Sequence, residues 1–199
     1  MLRELHLNNN AISNINKNVF SKLPNLEVLD LSYNNIGEGE LFIIFNSNLP
    51  YNLAVSSGKN DPDIHREAFR QLKSVKKMLL NNNQIKRISP MQFKGLKNLE
   101  LLSLDHNQIE TIPEDAFRNM ENLKFVFARY NKISSIAGNS FESNPALKIA
   151  YLSHNEISEI DSALLADKPE LKRVDFGDNK LTSVGDIFEV RVAHLWFTS

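Results

Sequence analysis

Five histidines are the first residues of this 199-residue chain that could bind a metal or carry protons: His6, His65, His106, His154 and His194. Each lies in a different unit of a repeating pattern. His106 and His154 share one repeat position two units apart, which places them roughly 10 Å from each other across Tyr130. That is too far to share a metal ion, so they read as exposed polar residues. The chain has no Cys, which removes disulfides, thiolate metal sites and a cysteine nucleophile. The acid pairs Asp175/Asp178 and Glu38/Glu40 have no partner nucleophile and read as solvated surface. Gly37-Glu38-Gly39 has neither P-loop nor dinucleotide-binding spacing. Lys73, Lys76, Lys77, Lys94 and Lys97 fall on different faces and form no nucleic-acid-binding stripe. The expectation is a chain that is not an enzyme, with no cofactor, no metal, no nucleic acid and no small-molecule substrate.

Composition narrows the class further. Lys and Arg total 23 against 24 Asp and Glu, a net charge of −1, which supplies no bulk attraction to nucleic acid or an anionic membrane. Charged residues at 24% and hydrophobic ones at 42% fit a globular chain and exclude wholesale disorder. The length suits one domain able to bury a core. No apolar run is long enough for a transmembrane helix, and Met-Leu-Arg-Glu-Leu-His at the N-terminus contains no signal-peptide core.

The elements that position these residues come from an internal repeat, the strongest signal in the chain. Leu2-x-x-Leu5-x-Leu7-x-x-Asn10-x-Ile12 recurs with starts at 26, 75, 99, 123, 147 and 171. The last five copies are spaced by 24 residues, as are the first two. A weak copy starts near Pro50, where Leu53 and Val55 hold core positions but Gly58 replaces the Asn. A further copy would begin at Leu195. In the second half of the units, Ile15 and Phe20, Ile88 and Phe93, Ile112 and Phe117, and Ile136 and Phe141 keep one spacing, as do Ile64 and Phe69. Ile160 and Leu165 end the series.

This pattern resembles the leucine-rich repeat family, in the 24-residue class found in Toll-like-receptor-like ectodomains. The fold implied is an α/β repeat solenoid, a curved horseshoe with a concave parallel β-sheet and a convex side of loops and short helical turns. About eight repeats would span residues 1–188, the third degenerate, with 189–199 an irregular tail or improvised cap. Elementary physics agrees. The Leu-x-Leu alternation has a period of two and makes a short strand with one face inward. A 24-residue unit cannot bury that face alone, whereas stacked parallel neighbours can. The recurrent Asn10, Asn34, Asn83, Asn107, Asn131, Asn155 and Asn179 carry both donor and acceptor, so they can satisfy backbone groups at each turn. In Asn8-Asn9-Asn10 and Asn81-Asn82-Asn83 only the third Asn is expected to be structural. The Phe column is expected to fill the convex side.

The ends raise a separate expectation. Leu2 is already a core position, so the first repeat would expose Leu2, Leu5, Leu7, Ile12 and Phe20. The cysteine-rich caps of extracellular family members are missing. The chain therefore reads as an internal stretch of a longer protein, as an incomplete coding sequence, or as one that self-associates through its uncapped ends. Val190 to Phe197 alternates and is read either as an edge strand that improvises a cap, with Trp196 packing there, or as sequence foreign to the repeat.

Register also identifies the residues lining the sheet face. Most are polar. The exceptions, Leu79, Leu101, Phe125, Phe127, Ile149 and Tyr151, fall on neighbouring strands, bordered by Arg129, Tyr130, His106 and His154. Exposed apolar clusters mark interaction sites, and aromatics with Arg are enriched in hot spots. The expected function is non-catalytic recognition of a protein partner on the concave face. The resemblance implies an extracellular receptor, adhesion or innate-immune protein. An intracellular scaffold or regulatory subunit is the alternative, favoured by the lack of Cys, signal peptide and N-x-Ser/Thr sequon.

Overall fold

The computed structural model describes residues 2–37 and 68–182, with the backbone of 194–196. Three-residue strands form at the third to fifth positions of each good repeat. They are β1 (Glu4–His6), β2 (Val28–Asp30), β3 (Lys77–Leu79), β4 (Leu101–Ser103), β6 (Phe125–Phe127), β8 (Ile149–Tyr151) and β9 (Arg173–Asp175). Between them lie β5 (Thr111–Ile112) and β7 (Ser135–Ile136), and β10 (His194–Trp196) closes the series. The main sheet is parallel with the order β1-β2-β3-β4-β6-β8-β9-β10, and β5 pairs with β7 in a second, two-stranded sheet. The convex side carries turns and one short 3-10 helix, Ser162–Leu165, capped by Asp161 accepting from the Ala163 N–H.

The central residue of each strand from β2 to β9 in the main sheet points inward and is buried: Leu29, Met78, Leu102, Val126, Ala150 and Val174. The Phe column is buried as expected, with Phe69, Phe93, Phe117 and Phe141 fully enclosed. Rings stack along it, Phe93 on Phe117 at 6.5 Å and Phe117 on Phe141 at 4.9 Å.

Three expectations are corrected. Where the count along the chain placed a weak repeat near residue 50 between β2 and β3, these two strands pair directly, Val28 with Lys77. Asn83 donates to Leu31 O at 3.0 Å and Phe20 stacks on Phe69 at 6.1 Å, so all layers of the solenoid close over the same junction. Leu53, Val55 and Ile64 themselves lie outside the described residues. Second, Phe20 is not exposed at the first rung: Phe69 covers it and leaves it 4% accessible. Leu5, Leu7 and Ile12 are half-buried and Leu2 alone is open. Third, the last strand comes early. His194 pairs with Arg173, three residues short of the 24-residue spacing, so no rung starts at Leu195. The Trp196 side chain lies outside the described residues.

The Asn column joins consecutive rungs. Asn107 accepts from Ile85 N–H at 3.0 Å and donates to Leu80 O, Leu104 O and Asp105 O. Asn34, Asn83, Asn131, Asn155 and Asn179 repeat the same set. Asn10 reaches only Leu7 O and Asn8 O, within its own rung. The residue before each structural Asn is left-handed, from Asn9 (φ 56) and Tyr33 (φ 52) through Asn82, His106, Tyr130 and His154 to Asp178. That turn aims the following Asn inward. Asn9 and Asn82 are thus structural too, since Asn tolerates this conformation better than most residues.

Gly95 (φ 107) approaches the neighbouring turn so closely that a Cβ would meet Arg70 O at 2.4 Å. Gly95→Ala is expected to lose about 1–3 kcal/mol, from left-handed strain plus the shift of that backbone. Urea denaturation measures it; an unchanged midpoint would mean the turn yields freely.

Candidate protein-binding face

The outward residues of the strands stand in two columns across the sheet. In the first, Leu101 neighbours Phe125, and Phe125 neighbours Ile149. In the second, Phe127 neighbours Tyr151 with rings stacked at 5.3 Å and 18°. These five form one continuous apolar surface, each half-buried. Leu79 is set apart, because Ser103 stands between it and Phe127 and is itself 6% accessible.

Arg129 organises the edge of this surface. Its backbone N–H donates to Asp105 Oδ1 at 2.7 Å, while Nη2 and Nε donate to Oδ2 at 2.6 and 3.2 Å. The guanidinium carbon lies 5.2 Å from the Tyr151 ring centre and 5.8 Å from that of Phe127. The hydrogen bond to Asp105 raises the guanidinium above its ordinary pKa against the opposing effect of burial, so Arg129 is permanently charged. On the other side of Tyr151, Arg173 Nη1 donates to the phenol oxygen at 3.2 Å. The two arginines therefore bracket Tyr151 and hold its ring.

Beyond Arg129 the left-handed residues turn their rings outward. Tyr130 is sandwiched between His106 at 4.4 Å and His154 at 4.1 Å, all nearly coplanar in tilt, and is 45% accessible. His154 Nε2 is 3.3 Å from Asp178 Oδ2. Among the described residues no three His, Asp or Glu side chains converge as a metal site.

The seventh repeat position, which the strand alternation would turn outward with the third and fifth, departs from that. Ser32, Asp105 and Ser153 are buried there, because the chain is already turning in toward the structural Asn. Two further rows escaped the sequence reading. Ser74, Asn98 and Asn122 donate to Pro24 O, Lys73 O and Lys97 O of the preceding unit, a second polar ladder. The second repeat position forms a charged row along the N-terminal ends of the strands: Arg3, Glu27, Lys76, Glu100, Lys124, Lys148 and Lys172. Lys76 Nζ to Glu27 Oε2 is 2.8 Å and Lys124 Nζ to Glu100 Oε2 is 2.9 Å. The Lys76 bond lowers the Glu27 pKa. Both rows could have been found by reading every repeat column and not only the apolar ones.

The family model for the leucine-rich repeat matches residues 1–38, 52–109, 73–133 and 97–157; the second match takes in the latter part of the weak repeat. The chain belongs to the leucine-rich repeat family. Its structure is similar to the TLR13–ssRNA13 complex, at 28% identity and a TM-score of 0.68, covering 91% of this chain and 25% of that one. It is also similar to a leucine-rich repeat protein of Leptospira interrogans, at 21% identity and a TM-score of 0.70, covering 96% of this chain and 44% of that one. The second likeness concerns the fold alone. The chain thus spans less than half the length of either. No curated protein sequence matches it. Among the described residues no helix is long and apolar enough to cross a membrane.

Proposed function

We propose that this chain is a non-catalytic recognition module that binds a protein partner on the concave sheet across β4, β6 and β8. The observation that carries the reading is the unbroken apolar surface of Leu101, Phe125, Ile149, Phe127 and Tyr151, rimmed by polar and aromatic groups. A dry centre inside a polar rim is the anatomy of protein interfaces. Arg129, Tyr130 and Leu79 serve as its margin. Leucine-rich repeat proteins are in general recognition modules, which supports the non-catalytic reading. TLR13 is bound to RNA in its complex, but here the aliphatic and aromatic centre of the face favours protein.

The likeness to TLR13 supports placing the module in an extracellular receptor, adhesion or innate-immune protein. The lack of Cys and of glycosylation sequons in the sequence favours an intracellular scaffold as the second reading.

The test is the triple change Phe125→Ser, Phe127→Ser and Tyr151→Ser. These side chains are half-exposed, so the fold is expected to persist by circular dichroism. Affinity for a captured protein partner is expected to fall by at least about 100-fold, because buried aromatic anchors each contribute about 2 kcal/mol or more. A partner bound equally by the folded variant would overturn the reading.

A further inference from the structure

The charged row along the strand ends changes character at one place. From Arg3 to Lys124 the sign alternates from rung to rung, and neighbours neutralise each other through the pairs Arg3–Glu27, Lys76–Glu27 and Lys124–Glu100. From Lys124 onward the alternation stops. Lys124, Lys148 and Lys172 occupy three successive rungs, as the backbone bonds Lys148 N–H to Lys124 O and Lys172 N–H to Lys148 O fix. Lys148 has only Glu170, at 4.0 Å, and Lys172 has no ion pair among the described residues. Arg173 adds a fourth cation beside them, donating to the Tyr151 hydroxyl oxygen.

Like charges on neighbouring strands repel and destabilise a sheet. The same row solves this problem elsewhere by alternating, so folding alone does not account for the three lysines. Their position does: Lys124 and Lys148 immediately precede Phe125 and Ile149 of the apolar surface, and Lys172 precedes β9 on the next rung.

Resting on the concave-face reading above, we infer that the partner presents an acidic polypeptide segment: aliphatic or aromatic side chains seated on Phe125, Ile149 and Tyr151, with carboxylates lying over Lys148 and Lys172. A protein segment fits better than RNA. Phe127 and Tyr151 already stack on each other and offer edges more than open faces for bases.

The experiment measures fluorescence anisotropy of four labelled probes against the full 199-residue chain. Three are peptides of about a dozen residues, made of Glu and Phe, Lys and Phe, or Glu and Ser; the fourth is an oligouridine of similar length. The Glu/Phe peptide is expected to bind at least about tenfold more tightly than each other probe, and to weaken as salt rises. Lys148→Glu with Lys172→Glu, folded by circular dichroism, is expected to lose about tenfold for Glu/Phe and to gain for Lys/Phe. Equal binding of Lys/Phe by the native chain, tighter binding of oligouridine, no binding of Glu/Phe, or no response to charge reversal would each overturn the inference. If the triple serine variant loses Glu/Phe binding while charge reversal does not, the concave face stands and its acidic preference falls. If neither variant changes the binding, both fall.

Discussion

Phe117→Ala is expected to remove about 3–5 kcal/mol of stability, the range for truncating a fully buried aromatic. Phe117 has no accessible surface and lies between Phe93 and Phe141 on the convex side. Its removal therefore leaves a cavity walled by two other rings that cannot both move into it. Polar support suffers as well. The Phe117 carbonyl and that of Met120 accept from Asn144 Nδ2, and Asn144 is wholly buried with its Oδ1 unpartnered among the described residues. A loosened turn at residue 117 would strand the rest of that amide. Phe20→Ala is the comparison, because Phe20 stacks on one described neighbour only, Phe69; it is expected to cost less. Urea denaturation of the native chain and both variants gives the difference. Equal losses at the two positions, or a loss below about 1 kcal/mol at Phe117, would show that the ring column contributes little.

Most of this architecture was legible because the repeat keeps its period. Once Leu102, Val126 and Ala150 are known to point inward, the alternation of a strand forces Leu101, Phe125 and Ile149 outward, and the parallel register sets them side by side. The apolar surface therefore followed from spacing alone. What spacing could not carry was adjacency in space. Counting along the chain put a weak rung between residues 31 and 75, yet β2 hydrogen-bonds to β3 directly. Register is chosen by the hydrogen bonds and packing of both partners, and a copy with Gly58 in place of the Asn lacks the group that ties one rung to the next. The early arrival of β10 has a related origin: the repeat pattern decays after Val184, with Phe188 one residue ahead of its place in the Phe column.

Chemistry within the site was harder to read. The strand period predicts which way a side chain points, but it stops where the strand stops. At the seventh and eighth positions the left-handed residue breaks the alternation, burying Asp105 and turning His106, Tyr130 and His154 into one stack. Asn, His and Asp at five of seven eighth positions were a usable signal, since these types tolerate positive φ. Tyr33 and Tyr130 adopt it without that advantage.

Asn107→Leu tests what binds the rungs into one body. Its expected cost is about 1–3 kcal/mol, from one buried backbone donor left without a partner. That donor is the Ile85 N–H of the preceding rung; the Leu80 carbonyl of the same rung loses one amide donor but keeps Asn83 Nδ2. Leucine matches the amide in size but offers neither donor nor acceptor, so the loss comes from polarity and not from a cavity. Asn10→Leu separates propensity from linkage: Asn10 is exposed and bonds only within its rung, so its replacement is expected to stay within about 0.5 kcal/mol. Hydrogen exchange locates the effect. In a solenoid, stability is shared between units and their nearest-neighbour contacts, so Asn107→Leu should speed exchange of the Ile85 amide and of the β3 and β4 amides before it reaches β8 or β9. Uniform acceleration along the chain would mean that the rungs unfold as one unit whatever joins them. Unchanged exchange at Ile85 would mean that the side-chain ladder fills space but does not hold the solenoid together.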